Sequence, residues 1–260
     1  MSTATLRRAM TSEWIKMKSV RSTQWTIALF VTMTVGIAAL ISIAVSNEWS
    51  RMTAEDKAGF DPTDASLQGL VLAQLVIGVL GVLAVTAEYS SGTIRATLAA
   101  VPRRLRALSA KALVFTAVAA VTSLVTCFAA FFLSGALMHS TGAAASLSDP
   151  GAVRSIVGAS FYLVCVGLIA LGIGTVVRST AAAITTMVGV VFVLPLIGQL
   201  LPHSWSEPVM KWLPMSMGQS LASVTRDPQT FAPGMAAVMI AAYAAVALAA
   251  GGFFLVRRDA

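Results

Sequence analysis

Very few residues in this chain of 260 could support nucleophilic or metal chemistry. It has two histidines, His139 and His203, and two cysteines, Cys127 and Cys165. Neither histidine belongs to a His-Glu-x-x-His zinc pattern, and both fall outside the apolar runs. Each cysteine falls inside one, as a small buried apolar residue does, which reads against a disulfide or a metal pair. An intramembrane serine protease needs a serine with a histidine partner in the bilayer. Gly158-Ala159-Ser160 is the nearest feature, and no apolar run contains a histidine. Lysines stand at 16, 18, 57, 111 and 211 and none follows a glycine, so there is no Gly-Lys-Ser/Thr phosphate loop. No ionisable residue sits centrally in an apolar run, where an ion- or proton-coupled carrier would need one. Polar chemistry is concentrated instead in one interval, Glu88–Lys111, between two such runs.

The elements around that interval are read from hydropathy. The chain is 57% hydrophobic and only 11% charged, with a mean hydropathy of +0.82. Soluble domains carry roughly a quarter charged residues, so this composition describes a membrane protein. Six runs at 25–45, 67–87, 110–138, 156–177, 180–201 and 231–256 each supply the roughly 20 apolar residues that a bilayer core demands. All are expected to be helices, which satisfy their own backbone in lipid. The expected fold is therefore an all-α polytopic membrane protein, a single transmembrane domain over residues 1–260.

Lysine and arginine placement sets the orientation. With the N-terminus inside, 13 basic residues fall on the cytoplasmic side and 5 outside, which places both termini in the cytoplasm. The net charge of +7 is thus a topology signal and not a nucleic-acid-binding patch. Outside, residues 46–66 read as an acidic loop. The Trp205–Leu213 segment, with Lys211 and Trp212, reads as an interfacial or partly re-entrant helix. Pro195 should kink the fifth span or end its first half. Arg178-Ser179 is the whole turn between the fourth and fifth spans. Gly78 and Gly81 in the second span, and Gly167, Gly172 and the Ala170-x-x-x-Gly174 pair in the fourth, are candidate helix contacts. Gln68, Gln74, Ser123, Thr126 and Gln199 are the polar positions in or near spans, read as helix contacts or span ends.

Before the first span, Leu6, Met10, Trp14 and Met17 recur at helical spacing beside Lys16, Lys18 and Arg21, with Glu13 at the stripe's edge. That pattern fits an interfacial helix on an anionic leaflet, or a helical extension of the first span. Within Glu88–Lys111, Ser90-Ser91-Gly92 can turn the chain along the surface, and Thr93 is a fair N-cap. Ile94, Leu98 and Val101 share one helical face, and Pro102 ends that helix. Arg103, Arg104, Arg106 and Lys111 follow. Glu88 is expected to hold the turn by accepting hydrogen bonds or by pairing with a nearby arginine. The geometry is a short surface helix with an apolar plug and a basic rim. An amphipathic loop lying on lipid, with arginines as topology anchors, fits the same residues.

Together, Glu88, Tyr89, Gly92, Thr93, Ile94, Leu98, Pro102, Arg104 and Lys111 resemble a signature of type-2 ABC transporter permeases. Glu13-Trp14-Ile15-Lys16 with Arg21-Ser22-Thr23 resembles the family's N-terminal lead-in. Arg178-Ser179-Thr180-Ala181-Ala182-Ala183 resembles its turn between spans four and five. The similarity extends over the whole chain, without a large external domain. It implies a non-catalytic membrane subunit of an ATP-driven exporter in the bacterial cell membrane. It also implies a second permease copy, as a homodimer or a heterodimer, and a cytoplasmic ATPase that carries the ATP and magnesium. The helix after the second span would be the coupling helix, with Glu88, Gly92, Thr93, Ile94, Leu98, Val101, Pro102 and Arg104 as its contact set. The apolar spans lean towards a hydrophobic or amphiphilic substrate: a drug, a peptide or a lipid. An intramembrane enzyme such as a protease, or a non-transporting scaffold or immunity protein, is the alternative reading.

Overall fold

The computed structural model describes residues 3–100, 103–200, 202 and 208–257. Side chains at 3–5, Leu98 and Ala100 lie outside that description, as do Val101, Pro102, His203 and Trp205. All regular structure among the described residues is helical. Helix α1 spans Thr3–Ser19 and α2 spans Arg21–Glu48. Two short helices follow, α3 (Ala54–Gly59) and α4 (Pro62–Leu67), and then α5 (Leu70–Ser90), α6 (Ile94–Ala100), α7 (Arg104–Leu137) and α8 (Ala152–Val177). The fifth span comprises α9 (Thr180–Val188), a π-helical turn Gly189–Val193 and α10 (Leu194–Gln199). Helix α11 (Pro214–Ala222) and α12 (Pro233–Arg257) complete the chain.

Six helical stretches are long and apolar enough to cross a bilayer: Arg21–Glu48, Pro62–Ser90, Arg104–Leu137, Ala152–Val177, Thr180–Gln199 and Pro233–Arg257. The chain is a multi-pass membrane protein. Most of the spans read from hydropathy alone run on by a few residues at one or both ends, because the helices extend past the hydrocarbon before they end, whereas the fifth stretch runs only to Gln199.

Helix α8 is the centre of the bundle, with 67% of its most apolar window buried against 22% for α2. Helices α5, α7, α11 and α12 all pack on it. Small residues allow this. A side chain at Gly81 would overlap the Gly167 carbonyl oxygen and press on Ala170. One at Gly172 would lie 2.5 Å from the Ala247 backbone of α12. Of the glycines read as helix contacts, Gly81 and Gly172 are close approaches of α5 and α12 to α8, while Gly78 faces Met187 of α9 and Gly167 faces Phe115 of α7.

One local reading changes. Residues 46–66 are not a plain loop, because they form α3 and α4. Thr53 accepts from the Asp56 N–H to cap α3, and Asp61 accepts from the Thr63 and Asp64 N–H groups to cap α4, with Pro62 opening that helix. These are ordinary N-cap signals. Pro195 interrupts the fifth span as expected: α9 ends at Val188 and α10 opens with Pro195 in its first turn. The proline's missing N–H is accommodated by the π turn just before it, and α10 continues to Gln199. Residues 208–210, within the expected Trp205–Leu213 segment, are helical, and the start of that segment lies outside the described residues; a further helix, Pro214–Ala222, follows. It is buried through Met217, Gly218 and Leu221, with Gly218 seated against the Tyr162 ring.

Candidate functional site

Four charged side chains meet where α1, α5, α6 and α7 come together. Glu13 and Lys16 come from α1, Glu88 from the last turn of α5, and Lys111 from the second turn of α7. Lys111 Nζ donates to Glu13 Oε2 at 2.5 Å and to Glu88 Oε1 at 2.8 Å. Lys16 Nζ donates to Glu13 Oε1 at 2.8 Å, to Glu88 Oε1 at 2.9 Å and to Thr97 Oγ1 of α6 at 3.1 Å. Glu13, Glu88 and Lys111 are 5%, 8% and 9% exposed. Two carboxylates face two ammoniums, so the cluster is neutral overall, the condition under which buried charges are tolerated. Burial pulls the Lys16 ammonium down, but hydrogen bonds and charge from Glu13 and Glu88 outweigh it and hold the group above the usual lysine value. Glu88 Oε2 is buried and has no hydrogen-bond partner among the described residues.

Local sequence dictates this junction. Val20, with φ −79° and ψ 117°, breaks α1 from α2. Helix α1 is thus a separate element packed on α7 and not an extension of the first span. Its inward face is Leu6, Ala9, Met10, Glu13, Lys16 and Met17, a clean three-four spacing. Trp14 and Ile15 point away, at 52% and 59% exposure. Lys18 and Arg21 are exposed as well. The apolar stripe is therefore rotated from its sequence reading: Glu13 turns inward and Trp14 outward. Gly92 supplies the turn after α5 with φ +71°, a conformation that favours glycine. Thr93 stands just before α6, its hydroxyl 2.9 Å from that of Ser91, and its carbonyl accepts from the Thr97 N–H.

The expected coupling residues separate into two groups. Glu88 pairs with lysines and not with an arginine, because Lys16 and Lys111 reach it from two other helices. Ile94 is 8% exposed and is turned into the chain, where it anchors α6. Arg95, Ala96 and Ala99 form its exposed side. Leu98 lies on α6, with its side chain outside the described residues, as are Val101 and Pro102 entirely. Arg104 reaches across to α12 and donates to the Leu255 carbonyl at 3.0 Å. Arg178, the left-handed turn residue after α8 with φ 61°, places its guanidinium 5.3 Å from the Tyr89 ring centre and donates to the Phe254 carbonyl at 3.4 Å. The start of α7, the end of α12 and the α8–α9 turn are thereby gathered at the junction end.

A second polar place lies farther along α5. Gln74 is 14 residues before Glu88, about 21 Å along a helix. Tyr162 of α8 donates to Gln74 Oε1 at 2.5 Å, with both residues buried. They border a cavity of about 120 Å³ that Asp64, Gln68 and Gln219 also line. Asp64 accepts from the Val224 N–H at 3.0 Å, and Arg154 donates to the Ser223 and Val224 carbonyls, which fastens the chain after α11 to the start of α4 and α8.

The sequence resemblance has independent support. The model of the ABC-2 family transporter protein matches residues 9–196, which runs from α1 through α10 and includes the entire junction. No curated protein sequence matches the chain significantly.

Proposed function

Because this chain belongs to the ABC-2 family of transporter proteins, we propose that it is the membrane-spanning subunit of an exporter powered by a separate ATPase. The observation that carries this reading is the junction. Helix α6 is the short helix between spans two and three, and it is tied by Thr97, Lys16 and Glu88 to α1, α5 and α7 at once. A displacement of α6 would not be absorbed by a flexible loop. It would be passed through the Lys16–Thr97 hydrogen bond into a cluster where loss of a buried partner such as Lys111 costs about 3–5 kcal/mol.

In this reading the junction end faces the cytoplasm, because the basic residues cluster there. The exposed Arg95, Ala96 and Ala99 meet the ATPase, Ile94 holds the helix to the bundle, and the arginines at 103, 104 and 106 supply rim charge. ATP and magnesium bind the partner chain. Trp14 and Ile15 dip into the lipid interface beside Lys18 and Arg21. A second copy completes the path, using apolar surface left bare on α2 and α10, such as Leu40 at 67% and Leu196 at 61% exposure. A path between such faces suits a hydrophobic or amphiphilic substrate, and the membrane is the bacterial cell membrane.

The test is reconstitution in vesicles with a phosphate-loop ATPase encoded beside this chain. Arg95→Glu combined with Ala96→Asp should leave insertion intact while ATP hydrolysis loses its coupling to transport. Unchanged coupling in that double variant would remove α6 as the contact.

A further inference from the structure

A large apolar groove runs between α7 and α12 at the junction end, on the outer side of both spans. Its volume is about 750 Å³, within the range of sites that hold lipid- or drug-sized ligands. Leu105, Leu108 and Leu113 form one wall, and Leu248 and Phe253 the other. The wall has a single hydroxyl, that of Ser109, and it is already used on the Leu105 carbonyl at 2.7 Å. The groove exists because Gly252 and Ala249 carry little side chain. A Cβ at Gly252 would already lie 3.0 Å from Leu105 Cδ2.

The mouth is cationic. Arg257, the last residue of α12, lines the groove and holds its guanidinium 4.3 Å from the centre of the Phe253 ring. Arg104 sits on the Leu255 and Val256 carbonyls beside it. Arg103 and Arg106 flank it in the chain, and neither α7 nor α12 contains a carboxylate. An apolar slot accepts any acyl chain, but a guanidinium at its mouth discriminates between headgroups. It forms charge-assisted hydrogen bonds to a phosphodiester. A zwitterionic headgroup carries its own ammonium, whereas an anionic one presents net charge to the arginine.

We propose that the α7–α12 groove is a binding site for an anionic phospholipid, with an acyl chain along the leucine walls and the phosphate at Arg257. A lipid bound there fastens the end of α12 to the first turns of α7, the same turns that carry Lys111 into the junction. The proposal is independent of the partner ATPase.

The experiment uses the full chain purified in mild detergent and incubated with equimolar phosphatidylglycerol and phosphatidylcholine of matched acyl chains. Retained lipid is counted by native mass spectrometry. The wild-type chain should retain phosphatidylglycerol in preference. Arg257→Gln, at an exposed helix end, should lower that preference about fivefold, the contribution of one basic side chain near anionic lipid. Ala249→Trp, which fills the groove from an exposed position, should reduce retention of both lipids. Equal retention of the two lipids by the wild type would overturn the proposal, as would an unchanged preference in Arg257→Gln. If Ala249→Trp instead converts a dimer to a monomer with lipid retention unchanged, the groove holds a second copy and the proposal fails.

Discussion

Among the buried polar side chains of helix α5, Glu88 and Gln74 are satisfied by opposite means. Glu88, at the helix end, is held by two ammoniums from α1 and α7. Gln74, deeper in the span, has one neutral partner, the Tyr162 hydroxyl. Depth explains the difference. Charges are expensive within the hydrocarbon and bearable at its edge when paired, whereas a neutral amide–hydroxyl pair crosses the interior at modest cost. The charged site also joins four elements and the neutral one joins two. The first can carry force between helices; the second fixes how α5 sits on α8.

The sharpest way to break that contrast is Lys111→Met. It leaves Glu13 and Glu88 buried with Lys16 alone between them, and should cost about 3–5 kcal/mol. The expected readouts are a large drop in membrane yield and in the midpoint of thermal unfolding in detergent, with partial recovery when Glu13→Gln is added. Tyr162→Phe should cost less, about 1–3 kcal/mol, by stranding the Gln74 carbonyl oxygen. Lys16→Gln should cost below about 1 kcal/mol, because its side chain is 36% exposed and solvent screens the pairs it makes. That cost carries a pH signature. A lysine raised in the folded state contributes fully below its ordinary value and loses its contribution as pH rises through the raised value. The thermal midpoints of wild type and Lys16→Gln should therefore run in parallel at neutral pH and converge only above about 10.5. Smallest of all should be Tyr162→Phe combined with Gln74→Leu. Replacing both partners of a neutral pair by apolar groups is nearly neutral, so thermal unfolding should return close to wild type. A double variant as damaging as Tyr162→Phe alone would show that Gln74 serves more than packing.

Much of the fold was legible because a bilayer imposes one dominant rule. Apolar length alone gives the six spans, and Gly92, Arg178-Ser179 and the glycines of α5 and α8 mark turns and contacts by their residue type. The short helices α3 and α4 escaped because the acidic residues around them suggested solvent, although Thr53, Asp61 and Pro62 spelled out their caps. The junction was only half legible. Glu88 and Lys111 stood out as charges at span ends. Glu13 looked like a flaw in an apolar stripe, because periodicity ranks hydrophobicity and a buried ion pair is invisible until its partner helix is placed. Its i, i+3 spacing to Lys16 was the available signal. Ile94 shows the complementary limit: spacing identifies an apolar face but not whether it meets a partner or its own bundle. Tyr162, the partner of Gln74, lies 88 positions away and gave no local cue.

The central claim is that the exposed side of α6 meets an ATPase. Cys127 and Cys165 are both buried, so a cysteine placed at Ala96 would be the accessible thiol for a thiol-reactive photo-cross-linker. The chain carrying Ala96→Cys, co-expressed with the ATPase encoded beside it and irradiated in membranes, should yield a covalent adduct between the two chains. The same reagent on Arg51→Cys, beyond the far end of α2, should yield none. An ATPase adduct from position 51 and not from 96, or labelling at 96 of lipid alone with the ATPase present, would contradict the account.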